Sequence, residues 1–439
     1  MTRLSLDTLR RTRAHVRTPA YDPATLGCGI VHLGVGAFSR AHQALYTEDA
    51  IELAGGAWGV RGVSLRRPDV ASALLPQDGL YTLEIRKAAA DYRIVGVLRE
   101  MLVAPSDPGA VLAALAAPET QVVTLTVTEQ AYALGPDGHL DLETPDVAHD
   151  LQSEETPRSV AGWLAAGLER RFQAGAGPLT ILSCDNLKGN GRKLEAAVRT
   201  MAHRRRPDIA RHLAAMASFP NTVVDAITPA SDAALLQRVW TATGLEDLAP
   251  VQREPFAQWV IEDAFITPRP AWERAGVQIV PDVAGYQALK LHVLNAAHST
   301  LAYLGLPRGH GLVREAMADP QLAAFLDAMM AEEVAPALPH PKVAAYWRAT
   351  RARFREPAVD HRLDQIAQDG AEKLRERIHP LIIANARAGR PCGRLRQVIQ
   401  AWLAREQRPL ESALDDPRLF SAPFREDPAL RAAMLDAAA

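Results

Sequence analysis

GIVHLGVGAFSR, residues 29–40, reads as a short apolar strand that runs into a glycine turn and then into a helix. The strand is 29–33, and Gly34 and Gly36 carry the turn. Gly34 permits the tight bend. Gly36 lets the backbone approach a pyrophosphate, and the helix beyond presents unpaired N–H groups and the positive end of its dipole. The third position of the usual G-x-G-x-x-G is Ser39, small but not glycine. Glycine turns after strands also have purely structural uses. What points to a dinucleotide is the place of this one, after the first strand of the chain and at the opening of a helix.

Outward from this turn, further β-rich runs lie at 59–65 (GVRGVSL), 122–127 (VVTLTV) and 179–184 (LTILSC), with helical patterns at 41–53, 108–116, 160–172 and 194–203. Strands alternating with helices predict a parallel sheet covered on both faces, an α/β, Rossmann-type, doubly wound domain. After about residue 282 the strand signal fades. The remainder is rich in Ala, Leu and Arg at helical spacing, broken by short Pro/Gly stretches, and reads as an all-α domain. The expected division is 1–282 for dinucleotide binding and 283–439 for a helical substrate domain, with the tail 434–439 frayed.

Bulk composition narrows the function classes. The chain has 439 residues, enough for two large domains of ~100–200 residues each. Hydrophobic residues at 48% and charged residues at 23% fit a soluble globular protein, and a net charge of −2 does not imply a large nucleic-acid footprint or a polybasic membrane patch. Cys28, Cys184 and Cys392 are scattered, with no CxxC pair, which fits a reducing cytoplasm and argues against a disulfide framework or a cysteine zinc site. The opening MTRLSLDTLRRTR lacks the apolar core of a signal peptide, and no apolar run approaches the ~20 residues of a membrane helix. The expectation is a cytoplasmic protein acting on a small molecule, without metal, membrane or nucleic acid. The sequence carries no signal of oligomeric state.

In dinucleotide folds the residue ending the second strand reads the adenosine ribose, an acid favouring NAD and an arginine accommodating the NADP phosphate. Here Leu65 is followed by Arg66, Arg67, Pro68 and Asp69. Asp69 serves an NAD ribose, while the two arginines leave NADP open.

The stretch 286–305 (YQALKLHVLNAAHSTLAYLG) reads as one helix. At ~100° per residue from Lys290, Gln287 falls near ~60°, His298 near ~80° and Asn295 near ~140°, and Lys290 to His298 covers roughly 12 Å. Val293, Ala296, Ala297 and Thr300 lie behind. Such a helix at a domain junction points to a polar site. Oxidising a secondary alcohol needs a base for the hydroxyl proton, and lysine, at ~10.4 when free, serves when burial or a neighbouring cation lowers it. A neutral amide such as Asn295 stabilises the developing alkoxide without competing for the proton, and His298 orients a further hydroxyl. Tyr286 and Lys290 have the YxxxK spacing of short-chain dehydrogenases, but too late in the chain, and Tyr286 is read as core.

Six ordered blocks now stand out: GVGAFSRAHQALY (34–46), TEQAY (128–132), SCDNLKGNG (183–191), FPNTVVDAITP (219–229), EPFAQWVIED (254–263) and KLHVLNAAHS (290–299). Together they resemble the mannitol dehydrogenase family, the polyol-specific long-chain dehydrogenases that include fructuronate reductases. The resemblance implies a Rossmann-type domain followed by a helical domain with the site in the cleft between them, NAD or NADP as cofactor, and no metal. It implies Lys290 as general base, Asn186 and Asn295 as oxyanion hole, His298 as substrate ligand and Asp225 as a hydroxyl ligand. Lys373 in QDGAEKLRER (368–377) matches a block whose basic residue reaches substrate. The expected cofactor set is Gly34, Gly36, Ala37, Phe38 and Arg40, then Asp69, then Thr128 and Glu129.

The chain departs from the pattern at several positions. Gln287 stands where relatives often carry an acid that passes the proton to solvent; glutamine cannot titrate, which leaves that route to Glu129 or a water chain. Lys188 replaces a common proline, Ala226 a common arginine and Ser39 a common histidine. The leading expectation is interconversion of a polyol and a 2-ketose of the mannitol/fructose type. The alternative within the family is reduction of fructuronate or a related keto-sugar acid, which needs a cation such as Lys373 or Lys188. A catalytically silent nucleotide- or sugar-sensing protein is disfavoured by the intact lysine, asparagine and histidine set.

Overall fold

Strand β1 (Ile30–Leu33) lies inside a six-stranded sheet in the computed structural model, which describes residues 2–435 except 88, 154, 358 and 359. The chain divides into two compact units, Met1–Val283 and Ala284–Ala439. In the first, β2 (Val60–Ser64), β3 (Tyr81–Ile85), β4 (Asp91–Val95), β5 (Leu98–Val103), β6 (Val122–Leu125), β7 (Leu179–Ser183) and β8 (Ala217–Ser218) follow β1. After them come β9 (Thr222–Asp225), β10 (Val251–Arg253), β11 (Gln258–Glu262) and β12 (Gln278–Val280). The main sheet runs β5-β2-β1-β6-β7-β8, every neighbouring pair parallel. The chain therefore turns back across β1, and the carboxyl ends of β1 and β6 flank the point where strand order reverses.

Continuous apolar runs are what a parallel sheet covered on both faces requires. All residues of β1, β6 and β7 are buried. Val31 and Leu33 pack with Val111, Trp163 and Val198, from helices Pro108–Ala116, Val160–Ala174 and Asn190–Arg205. Ile30 and Val122 pack with Leu45 and Ile51, from the helix Gln43–Ala54. The expected pattern at 41–53 is met by two helices, because Ala37–Ala41 ends at His42, whose backbone (φ −124, ψ −84) leaves the helical region. His42 Nε2 contacts the carbonyl of Gln258 at 2.9 Å and its ring stacks on Phe38, so a tertiary contact sets the break.

The first unit has two smaller sheets besides the main one. One is β10-β3-β4 and the other β12-β11-β9. In the latter, β9 runs antiparallel to β11 with Asp225 opposite Gln258.

The described residues of the second unit are helical, and the helix Ala296–Gly305 runs through their core with every residue but Leu304 buried. The last helix is Pro428–Leu435, and Met434 is buried, so the expected fraying does not begin there; 436–439 lie outside the described residues. The fold is thus a Rossmann-type α/β unit followed by a helical one. Among the described residues no helix is long and apolar enough to cross a membrane.

One buried cation ties three elements of the first unit. Arg171, 1% exposed, donates from Nε to Gly177 O (2.7 Å), from Nη1 to Leu115 O (3.3 Å) and Ala117 O (2.6 Å), and from Nη2 to Ala176 O (3.1 Å) and Pro178 O (3.0 Å). These carbonyls belong to the end of one helix, the loop after another and the approach to β7. Arg171→Met keeps the aliphatic packing and strips the carbonyls of their donor. It is expected to lower unfolding free energy by about 3 kcal/mol, read as a lowered urea midpoint at unchanged slope.

Candidate active site

The turn after β1 is built around Gly34, whose φ of +88° is left-handed. A Cβ there would lie 2.4 Å from the Thr126 carbonyl oxygen, so no other residue fits. The turn is held from the next strand. Thr126 Oγ1 donates to Gly34 O (3.0 Å), which commits its proton, so His32 Nε2 must donate to Thr126 Oγ1 (3.0 Å) and His32 Nδ1 accepts from Thr124 Oγ1 (2.7 Å). That network needs a neutral imidazole, and burial pushes His32 down to about 4. Gly36 differs: a Cβ there would meet only Gly34 O, at 3.9 Å. Packing does not demand this glycine, and the open direction is what close approach of a ligand needs.

A cavity of about 490 Å³ opens on this turn, lined by Gly34 and Val35, by Ser64 to Arg67, Asp69 and Val70 after β2, and by Thr126 to Thr128 after β6. It lies where a doubly wound fold places a dinucleotide. Of the expected cofactor residues it gathers Gly34, Asp69 and Thr128. Gly36, Ala37 and Phe38 are half-buried on the turn, and Glu129 is exposed beside Thr128. Arg40 is placed otherwise than expected. It is 6% exposed, donates to Gly36 O (3.1 Å) and Ala249 O, and stacks over Tyr81, so it braces the turn from within the core. The helix-dipole expectation is also corrected. The helix Ala37–Ala41 is one short turn, and the Gly36 N–H donates to Ser39 Oγ (3.1 Å) instead of standing open. Asp69 forms an ion pair with Arg67, so acid and base line the cavity together.

Sequence reasoning missed two residues on either side of Asn186. Asp185 is buried, and its Oδ1 accepts from the backbone N–H of Val127 (2.8 Å) and Thr128 (2.9 Å) while Oδ2 accepts from Tyr132 (2.8 Å). Burial raises its carboxyl above the usual range. Thr128 sits at φ +75°, a position that costs a non-glycine residue on the order of 1–3 kcal/mol and persists only where surroundings impose it. Asn190, 1% exposed, donates from Nδ2 to Ser183 O and Asp185 O (3.1 Å each) and accepts at Oδ1 from Thr222 N (3.0 Å). The block thus has two buried anchors: Asp185 fixes the β6 loop and Asn190 fixes the start of β9. Exposed Asn186 stands between them at the carboxyl end of β7, and buried Asp225 ends β9. The Asp and Asn of SCDNLKGNG were the available signal.

In the second unit the candidate catalytic helix is not one α-helix. Ala284–Leu289 is α, Lys290–Asn295 is π, and Ala296–Gly305 is α again. π segments are rare and frequent at functional sites. Their i→i+5 turn is wider and rotates each residue less than an α-helix does, so Asn295 swings back towards Lys290 from the ~140° of a regular wheel. Both are half-buried; Val293, Ala296, Ala297 and Thr300 are buried as expected. Tyr286 is half-buried rather than core, its ring against His340 and under the Lys342 ammonium. Lys373 Nζ lies 3.4 Å from Ile366 O and 3.8 Å from the Asp369 carboxylate. Arg377, one turn on and not singled out from sequence, is the residue set against the π segment. Its Nη1 donates to Ser299 Oγ (3.1 Å) and Asn295 O (3.4 Å), and its carbonyl meets His292 Nδ1 at 3.0 Å.

Comparison with known proteins bears on the family and fold of both units. The profile of the mannitol dehydrogenase Rossmann domain matches residues 28–274, and that of the mannitol dehydrogenase C-terminal domain matches 282–413. An uncharacterised oxidoreductase of Escherichia coli (strain K12) is 41% identical over 371 residues, 83% of this chain and 76% of the relative. D-mannonate oxidoreductase of the same strain is 38% identical over 373 residues, again 83% of this chain and 76% of the relative. The Pseudomonas fluorescens mannitol 2-dehydrogenase ternary complex with NAD and D-mannitol superposes with a TM-score of 0.86 at 32% identity, covering 99% of this chain and 95% of that one.

Asp185 holds Thr128 in its strained conformation at the cavity wall. Asp185→Ala is expected to weaken NADH binding about tenfold or more, since two backbone N–H groups of the cavity wall lose their acceptor. Fluorescence titration reads this, and an unchanged Kd would show that the loop keeps its shape without the carboxylate.

Proposed function

The chain belongs to the mannitol dehydrogenase family, and from that premise we propose that it uses Lys290 as general base to interconvert a secondary alcohol on an open-chain polyol or sugar acid with the ketone. It is a polyol dehydrogenase using a nicotinamide dinucleotide. The observation that carries the assignment of the base is the π segment Lys290–Asn295, which departs from regular helix over the interval between the lysine and the amide.

The cavity on the Gly34 turn fits the dinucleotide: it has the volume, the place in the sheet and an open approach at Gly36. Gly34 and Thr128 would hold the phosphate region, with Asp69, Arg66 and Arg67 at the adenosine ribose. When bound, the nicotinamide accepts or donates the hydride. The protein's own share is proton and charge handling. Lys290 Nζ takes the hydroxyl proton in oxidation and returns it in reduction. The amides of Asn186 and Asn295 donate to the oxygen, which carries negative charge as the proton leaves. Asp225 accepts from a neighbouring hydroxyl, and His298 binds the chain further along.

Two measurements test this. NADH and NADPH oxidation assayed with fructose, fructuronate, tagaturonate and xylulose should give turnover with at least one; none with any keto-sugar would overturn the reading. Lys290→Ala should lower kcat by about a thousandfold or more with coenzyme affinity retained. A kcat within tenfold of wild type would remove Lys290 from the role of base.

A further inference from the structure

His298 is 7% exposed, and its Nε2 is buried without a hydrogen-bond partner. The same holds for His361 Nδ1. The two rings face each other edge-on, with centroids 4.7 Å apart, and Phe354 closes one side of His298 at 4.4 Å. A buried polar nitrogen without a partner is costly, and two of them on adjoining rings call for an explanation. Both rings are neutral. Burial, then the His361 ring and the charges of Arg353 and Arg377, hold His298 well below the ordinary histidine range, and burial with the charge of Arg353 brings His361 down to about 4. Arg353 directly precedes Phe354, and Arg377 is bonded to Ser299, the residue after His298.

Ligand classes separate on charge. A metal ion would be repelled by two guanidinium groups, and among the described residues no group of three His, Cys, Asp or Glu side chains is placed to hold one. A neutral hydroxyl would satisfy one imidazole nitrogen but has no use for the positive field. A carboxylate offers two oxygens with about four acceptor positions, matching two imidazole N–H donors, and it gains from the guanidinium charges.

We propose that His298 and His361, flanked by Arg353 and Arg377, form a carboxylate subsite, so that the preferred substrate is an open-chain keto-sugar acid or its alcohol rather than a neutral polyol. This rests on the reading above that Asn295 serves the reacting oxygen. Asn295 and His298 are three residues apart, ~4.5 Å of helical rise. A hexuronate with its ketone next to the far terminal carbon spans a comparable interval, with three hydroxylated carbons between carbonyl and carboxylate.

Steady-state NADH oxidation with fructuronate and with fructose tests the proposal, on wild type and on Arg353→Gln. Wild type should favour fructuronate by about a hundredfold or more in kcat/KM, two guanidinium-assisted contacts at roughly tenfold each. Arg353→Gln should narrow that ratio about tenfold, mainly through KM for the acid. Equal use of both sugars by wild type would overturn the subsite while leaving the base assignment standing. So would a ratio unmoved in a folded Arg353→Gln. Calorimetry on wild type with NAD gives an answer independent of turnover and of the variant's folding: mannonate should bind at least tenfold tighter than mannitol, and equal affinity rejects the proposal. Loss of turnover on both ketones with mannonate still bound would instead reject the proposed reaction.

Discussion

The left-handed backbone at Gly34 is the constraint from which the first unit's cavity follows. With φ at +88° and the Thr126 carbonyl where a Cβ would be, the chain must leave β1 as bare backbone close against the end of β6. The turn's carbonyl is then claimed by Thr126, Thr126 by His32, and His32 by Thr124. Asp185 continues the linkage to β7 through the amides of Val127 and Thr128. Three adjacent parallel strands thus end in one hydrogen-bonded piece. Rigid support of this kind lets a loop residue keep a strained conformation, as Thr128 does.

The four inner strands of the main sheet were legible, three of them because strands covered on both faces must be apolar throughout, as 29–33, 122–127 and 179–184 are; its edge strands β5 and β8 were not. The hairpin β3–β4 was not, since β4 starts exposed at Asp91 and ends buried at Val95, without a continuous apolar run. The break at His42 was invisible for a different reason. The sequence around it keeps helical spacing, and the partner that bends it, the carbonyl of Gln258, is more than two hundred residues away. Local periodicity carries no record of such a contact.

The same limit explains the candidate site. KLHVLN is ordinary helical sequence, so a wheel of regular pitch set Asn295 far round from Lys290, and only the observed backbone shows the wider π turn. Arg40 was read by type, a cation beside a phosphate-binding turn. Its Tyr81 and Ala249 partners come from distant strands and loops, and they draw it into the core. Arg377 was one arginine among many. What distinguishes it is a set of partners, Asn295, Ser299 and His292, that assemble only when its helix packs on the π segment.

That packing also bears on which side chain of the candidate helix suits the role of base. A π turn disturbs the regular ladder of backbone bonds, and the carbonyl of Asn295 and the hydroxyl of Ser299 are covered by the Arg377 guanidinium. A cation placed there to complete the backbone acts on His298 as well. With burial and with Arg353 it holds that imidazole well below its ordinary range. A histidine so depressed is uncharged near neutral pH and only weakly basic, so it can neither deliver a proton as imidazolium nor take one readily from an alcohol. It remains a hydrogen-bonding group. Gln287 has no titrating atom. Of the polar residues facing that side of the helix, Lys290 is therefore the one whose chemistry suits a base, and the arginine that stabilises the π turn is part of the reason.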